Sequence, residues 1–280
     1  MNLTRVELSR PVPPVLALGA FLKNTVCLAA DREALLAPDV GNLDLPDALT
    51  GFHAAVEALV ARAKPVAIAH DLHPDFYSSR FAVELSDRLG APAVAVQHHH
   101  AHTAAVMAEH GREGPTLGLS LDGFGLGPGN ESWGGELLRV DANGYERLGH
   151  LAHLAQPGGD AASRQPWRMG AAALHTIGRG DEIAMRFADF AGAGLIPAMI
   201  ERGVNSPLTS SAGRLFDAAC GLLGVKPVVD FEGEAPMQLE SMVETPRVVD
   251  DGWRIEAGVL DLTPLLAAIA DLGAADGAEL

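Results

Sequence analysis

Two apolar runs, Val15–Gly19 and Thr116–Asp122, each have the length and residue types of a buried strand, and each passes through a polar, glycine-containing turn into a further strand. A chain that repeats this pattern has few architectures open to it. The repetition implies two related α/β lobes with a cleft between them, and 280 residues suffice for both. The expected division is a lead-in over residues 1–13, a first lobe over 14–114 and a second over 115–280.

In the first lobe Val15–Gly19 is followed by a turn at Ala20–Asn24 and a strand at Thr25–Ala30 that ends at Asp31. Leu49, Phe52, Val56, Leu59 and Val60 recur at helical spacing, which predicts a helix from Pro46 to Ala63. A strand at Pro65–His70, a helix at Tyr77–Leu89 and a strand around Val94 follow, then a helix over Ala101–His110. In the second lobe the Thr116 strand should enter a glycine-rich turn at Gly123–Gly129. A strand at Trp133–Val140, a turn at Asp141–Gly144 and a strand at Tyr145–Leu151 come next. Beyond Pro166 the chain reads as helical at Met169–Ile177, Asp181–Ala191, Leu195–Glu201 and Ala212–Leu223, with a last amphipathic helix at Asp261–Leu272. A second lobe patterned on the first would need further elements beyond Leu272, so it is expected to be incomplete.

Composition excludes several function classes. The formal net charge is −16 and Lys and Arg are scattered, which argues against a nucleic-acid backbone as partner. No apolar run approaches the ~18 residues of a membrane span, and the N-terminus carries no secretory pattern. A cytoplasmic location is expected. The two cysteines, Cys27 and Cys220, form no C-x-x-C pair and supply neither a zinc ribbon nor a disulfide framework.

The chemistry concentrates at His98-His99-His100-Ala101-His102, directly after the Val94 strand. On a helix, His98 and His102 share one face one turn apart, the spacing at which two imidazoles hold one metal ion. His99 and His100 then point elsewhere, toward a phosphate, a substrate or solvent. A solvated histidine run at a loop-to-helix junction is the alternative. Asp122, at a strand end, is placed to be a third metal ligand or to meet a metal-bound nucleotide, or else simply starts a turn. Gly123, Gly125 and Gly127 would let backbone N–H groups approach phosphate oxygens. Ser210 or Ser211 caps a helix in which Asp217, four residues after Gly213, could accept from ribose hydroxyls if that glycine lets a nucleotide close. Glu232 and Glu234 flank Gly233 in a loop and could orient a ribose or a metal. Arg168, and Lys23 with Asn24 in the first turn, are candidate anion contacts.

The runs Val96–His102, Leu119–Gly127, Trp133–Glu136, Pro157–Asp160, Pro166–Arg168, Gly213–Asp217 and Phe231–Pro236 occur in an order that resembles the C-terminal carbamoyltransferase module of the HypF family of hydrogenase maturation factors. The resemblance runs from about Val15 to Glu240. It implies an α/β fold of the ASKHA type (actin, hexokinase and Hsp70), with two βββαβα-like lobes around a nucleotide and a metal. It implies chemistry that starts from carbamoyl phosphate and ATP with Mg²⁺, passes through a carbamoyl-adenylate and ends on the C-terminal cysteine of HypE, toward the cyanide ligands of [NiFe]-hydrogenase. By position, His98, His102 and Asp122 resemble metal ligands, for iron or zinc. Asp217 and Gly233 resemble ribose contacts, and Gly123 to Gly127 the phosphate-side loop.

The chain carries no acylphosphatase-like domain, Cys-rich zinc fingers or adenylate-forming domain of that family, and it stops before the family's last Gly-Gly loop and final Asp-Gly-Gly segment. Activity of this stretch by itself is therefore not implied. The alternatives are a tRNA threonylcarbamoyl transferase, whose motif has an acidic residue and a glycine where His100 and Ala101 stand here, and a non-catalytic module that docks HypE.

Overall fold

The computed structural model describes residues 1–280, and the chain divides into two compact units, Met1–Thr116 with Val140–Tyr145, and Leu117–Arg139 with Glu146–Leu280.

The first unit is built on a four-stranded sheet in the order β2-β1-β3-β4, from β1 (Thr4–Ala17), β2 (Cys27–Leu36), β3 (Ala67–Asp71) and β4 (Ala93–Val96). β1 and β2 form an antiparallel hairpin, whereas β3 and β4 add in parallel through the helices α1 (Pro46–Val60) and α2 (Tyr77–Leu89). The stretch read as a lead-in is the first half of β1. Pro11, Pro13 and Pro14 are tolerated because they lie where the β1/β2 ladder shifts register, between Glu7 and Val12 and between Val12 and Val15. Opposite Val12, Asp31 takes φ 53°, so β2 runs on past the residue expected to end it. The unit therefore reads ββαβαβα, the order predicted from its residues, with two strands before its first helix where the resemblance implied three. Leu16, Leu28, Ile68, Leu85 and the α1 residues Phe52, Val56 and Leu59 form its core. The 3.6-residue spacing puts these α1 side chains on one face, and Phe52 is closed over edge-on by Tyr77 and Phe81 of α2. Gly90, in the left-handed region at φ 67°, ends α2.

The last element of this unit is α3 (His98–Glu109), which starts three residues earlier than expected. Gln97 is its N-cap: the Gln97 side chain accepts from His100 N at 2.9 Å, an arrangement a serine or aspartate more usually supplies.

The second unit opens with β5 (Thr116–Leu126), β6 (Ser132–Asp141) and β7 (Gly144–Leu151). Of the glycines read as a turn after Asp122, Gly123 and Gly125 lie inside β5, which continues to Leu126 paired with β6; the reversal comes at Pro128–Asn130, with Gly127 before it and Gly129 within it. Gly127 is bonded through its N to Glu131 O and lies against the Trp133 indole, so that a β-carbon there would enter the ring. After the short strand β8 (Leu154–Ala155) a helical block follows, with α4 (Asp160–Arg164), α5 (Pro166–Thr176), α6 (Ile183–Arg186) and α7 (Ile196–Glu201) leading through the short strand β9 (Leu208–Thr209) to α8 (Ala212–Leu223) and α9 (Glu234–Ser241). The core helices α5 and α8 cross backbone to backbone at Gly170 and Gly221, where a β-carbon on Gly170 would stand 2.6 Å from the Gly221 carbonyl carbon. The predicted Asp261–Leu272 helix is instead a strand end and a shorter helix: the hairpin β10 (Arg254–Glu256) and β11 (Val259–Asp261) joins the sheet beside β7, and α10 spans Thr263–Ile269. No helix is long and apolar enough to cross a membrane.

Candidate functional site

In the first unit the chemistry gathers at the C-terminal ends of two adjacent parallel strands. β3 and β4 pair with Asp71 opposite Val96, so Asp71 ends one strand two residues away in register from where the other enters α3. Ligands of open α/β sheets bind at such strand ends. The α3 geometry separates the histidines as its period requires. His98 and His102 lie one turn apart with Nε2 atoms 3.1 Å from each other. Two nitrogens on one tetrahedral zinc, each at ~2.0–2.1 Å, stand about 3.3 Å apart. The pair therefore fits a shared divalent ion with little movement.

His98 Nδ1 meets Asp71 Oδ2 at 2.7 Å, and Asp71 Oδ1 accepts from His73 N at 2.8 Å. Burial pushes the Asp71 carboxyl up, but the hydrogen bonds from His98 and His73 N and the neighbouring imidazoles outweigh it and leave it below its ordinary value. Asp71 escaped the sequence reading because it looked like the first residue of a loop; only the strand register reveals where it ends up.

His99 corrects an expectation. It is completely buried, on the inward face of α3 with Thr103, and its Nδ1 lies 3.1 Å from Gln97 Nε2. One step along a helix turns a side chain by about 100°, so the residue after His98 turns inward. His100 is half-buried against the Tyr145 ring at 5.1 Å, and burial lowers its pKa. Asn24 is buried, its amide donating to Leu18 O and Ala20 O, so it closes the first turn and its N–H groups are committed there; Lys23 beside it is exposed.

The second unit brings together Asp122, Gly123, Gly213, Asp217 and Glu232. Ser211 Oγ caps α8 by accepting from Arg214 N at 3.0 Å and donates to the carbonyls of Asp122 and Gly123, at 3.1 and 2.6 Å. This ties the helix start to β5. The approach needs glycine: a β-carbon on Gly213 would stand 3.0 Å from Gly123 Cα, and one on Gly123 would stand 3.2 Å from Glu232 Oε1. Gly123 N donates to Asp122 Oδ1 at 2.6 Å. Gly125 is buried within β5 and Gly127 is packed on Trp133, so neither forms an open phosphate loop.

Asp217 is buried. Arg214 Nη2 lies 3.1 Å from its Oδ2, yet the angle does not make a hydrogen bond, and Asp217 Oδ2 and Arg214 Nε have no hydrogen-bond partner. Burial pushes the Asp217 carboxyl up to about 6; Arg214 opposes this and Glu232 adds to it. A buried acceptor left open in this way suits a ligand hydroxyl. Gly233, at φ 82°, is the N-cap of α9, so the expected loop becomes a helix after Gly233. Glu234 is already engaged by Lys226 Nζ at 2.7 Å and Asp230 N at 2.7 Å, which leaves Glu232 as the open carboxylate of the two. Arg168 pairs with an amide, Gln165 Oε1 at 2.6 Å, and stacks on Trp167 beside Gly158.

Two α/β units, one with a histidine pair at its strand ends and one with a glycine-lined, carboxylate-bearing helix start, define a Kae1-like module of ASKHA type. Family models agree: the HypF Kae1-like domain matches residues 10–109, and the second subdomain of the carbamoyltransferase Kae1-like domain matches residues 118–279. The chain belongs to the HypF carbamoyltransferase family. Carbamoyltransferase HypF2 of Cupriavidus necator is 48% identical over 98% of this chain and 38% of its own length. A carbamoyltransferase HypF homolog of the same organism is 48% identical over 95% of this chain and 73% of its own length. The crystal structure of full-length HypF in the phosphate- and nucleotide-bound form matches with a TM-score of 0.86 at 30% identity, over 98% of this chain and 37% of that one. This chain thus spans little more than a third of the longer HypF proteins it matches.

Proposed function

We propose that this chain performs the transfer step of hydrogenase maturation, passing a carbamoyl group from a carbamoyl-adenylate, made from carbamoyl phosphate and ATP, to the C-terminal cysteine of HypE. The observation that carries the reading is the His98–His102 pair, with facing Nε2 atoms 3.1 Å apart on a helix that starts at a strand end. Family membership supports the reaction class.

In this reading His98 and His102, with Asp122 as third ligand, hold a divalent ion, iron or zinc. Imidazole and carboxylate suit either metal. When bound, it supplies Lewis-acid polarisation of a carbonyl or phosphate oxygen. Asp122 is included for its carboxylate chemistry and its position in the sequence. Asp217 accepts from the ribose, with Gly123 and Gly213 leaving room for the nucleotide, and Gly233 and Glu232 complete that side. Arg168, Lys23 and His100 are kept as anion contacts. The acceptor thiolate attacks the carbamoyl carbon, a C–S bond forms, the bond to the phosphate oxygen breaks, and AMP leaves with the electron pair. The setting is proposed to be cytoplasmic, in keeping with two free cysteines.

The test is to incubate the chain, Zn²⁺ or Fe²⁺, carbamoyl-adenylate and HypE, and to follow the acceptor cysteine by mass spectrometry. A carbamoyl adduct that His98→Ala and Asp217→Ala each abolish is expected. HypE binding that survives both substitutions without any adduct would show a docking module instead.

A further inference from the structure

We propose that Asp71 is a positioning residue for the metal pair: it fixes His98 as the Nδ1–H tautomer, so that the Nε2 lone pair faces Nε2 of His102. The inference rests on the reading of His98 and His102 as ligands given above and adds a residue to it.

The argument is one of topology and donor count. Asp71 closes β3 and His98 opens α3 after β4, and the parallel register that sets Asp71 opposite Val96 brings the two side chains to 2.7 Å. The Asp71 side chain is 5% exposed and has little freedom to turn. Its Oδ1 accepts from His73 N at 2.8 Å, while its backbone carbonyl accepts from Ser79 Oγ of α2 at 3.0 Å and lies 2.8 Å from His70 Nδ1. An ionised carboxylate only accepts hydrogen bonds, so His98 Nδ1 must be the donor. In the neutral ring the lone pair then sits on Nε2, the atom 3.1 Å from His102 Nε2. Metal-bound histidines commonly donate their other N–H to a carboxylate, which sets ring orientation and raises basicity, and loss of such a partner costs about 10–100-fold in metal affinity. Asp71 is also placed to do this without being a ligand itself, since both of its oxygens are already in use.

The test uses the 280-residue chain as it stands. Imidazole ¹⁵N NMR of the metal-free protein reads the tautomer, and Co²⁺ titration followed by visible absorbance reads the affinity. The parent chain should show His98 protonated on Nδ1. Asp71→Ala should give a mixture of tautomers and bind Co²⁺ about 10–100-fold more weakly. In Asp71→Asn the amide oxygen must stay on His73 N, which turns the NH₂ group toward His98 Nδ1, so this variant should shift His98 to the Nε2–H tautomer and weaken Co²⁺ binding as well. It decides the matter should Asp71→Ala fail to fold, since His98 still protonated on Nδ1 in Asp71→Asn would overturn the inference. His102→Ala, which removes a ligand, should weaken Co²⁺ binding while leaving the His98 tautomer in place. An unchanged tautomer and unchanged Co²⁺ affinity in folded Asp71→Ala would overturn the inference and leave the metal reading standing. No Co²⁺ uptake by the parent chain would overturn the metal reading itself, and the positioning role with it.

Discussion

Glu136 is completely buried, and its Oε2 accepts from Arg147 Nε at 2.6 Å. The other oxygen accepts from Gly134 N at 3.1 Å, Gly135 N at 3.3 Å and Ser210 Oγ, while Arg147 lies 4.2 Å over the Trp133 ring and reaches Glu131. One carboxylate thus joins the β6/β7 hairpin to the segment that starts α8. Glu136→Ala should destabilise the second unit by about 3–5 kcal/mol, because Arg147 Nε and three other donors lose their acceptor. The double variant Glu136→Leu with Arg147→Met should cost less than Glu136→Ala. Urea unfolding of both measures the difference.

The glycines near Asp122 are there for backbone contact. A β-carbon on Gly134 would sit 2.7 Å from Asp122 O and 2.9 Å from Ser211 Cα, and one on Gly135 would sit 2.5 Å from Ser210 O. Gly134→Ala should therefore cost about 1–3 kcal/mol and displace the α8 start. Gly114→Ala, where a β-carbon meets nothing within 4 Å, should be neutral within about 0.5 kcal/mol. Thermal melts of the pair check this.

Asp217 makes stability fall as pH rises. Its folded pKa of about 6 lies above the ordinary 3.8, so between these values the folded chain holds a proton that the unfolded chain has released. Stability is fullest below about pH 4 as far as this group is concerned, declines up to about pH 6 and then levels off, for a total on the order of 2–3 kcal/mol. Asp217→Asn should remove that slope. Ribose binding has the same dependence in reverse, since the protonated carboxyl has lost acceptor capacity; ATP affinity should drop below about pH 6. Urea titrations and calorimetry across pH 4–8 measure the two effects.

Gln97 holds the first turn of α3. Its side chain accepts from His100 N and lies beside His99 Nδ1, so Gln97→Ala should cost about 1 kcal/mol as a lost cap. The loss frays the turn that carries His98. Zn²⁺ binding should weaken while the nucleotide side stays intact, as paired calorimetric titrations would read.

Much of this was legible in the residues where local chemistry and period agree. α2 and α8 fall at Tyr77–Leu89 and Ala212–Leu223, the predicted spans, because each combines an apolar face with a glycine C-cap, and α8 adds a serine N-cap. Reading failed where long-range pairing decides. Gly123 and Gly125 look like a turn, but pairing with β6 keeps them extended. The hairpin β10/β11 has three-residue strands, too short for a period to show, and Asp261, which looked like a helix start, ends the second of them. In α3 a glutamine cap hid the helix start, and with it the inward turn of His99. Asp71 was invisible as a partner of His98 because only sheet register brings residues that far apart in sequence together.

The measurement that bears most directly on the central claim is calorimetric titration of this chain with ATP in the presence of Mg²⁺, with Asp217→Ala beside it. The account predicts binding in roughly the micromolar range, about −8 kcal/mol, that the substitution abolishes. Heats no larger than dilution for the parent chain, or equal binding by Asp217→Ala, would contradict it.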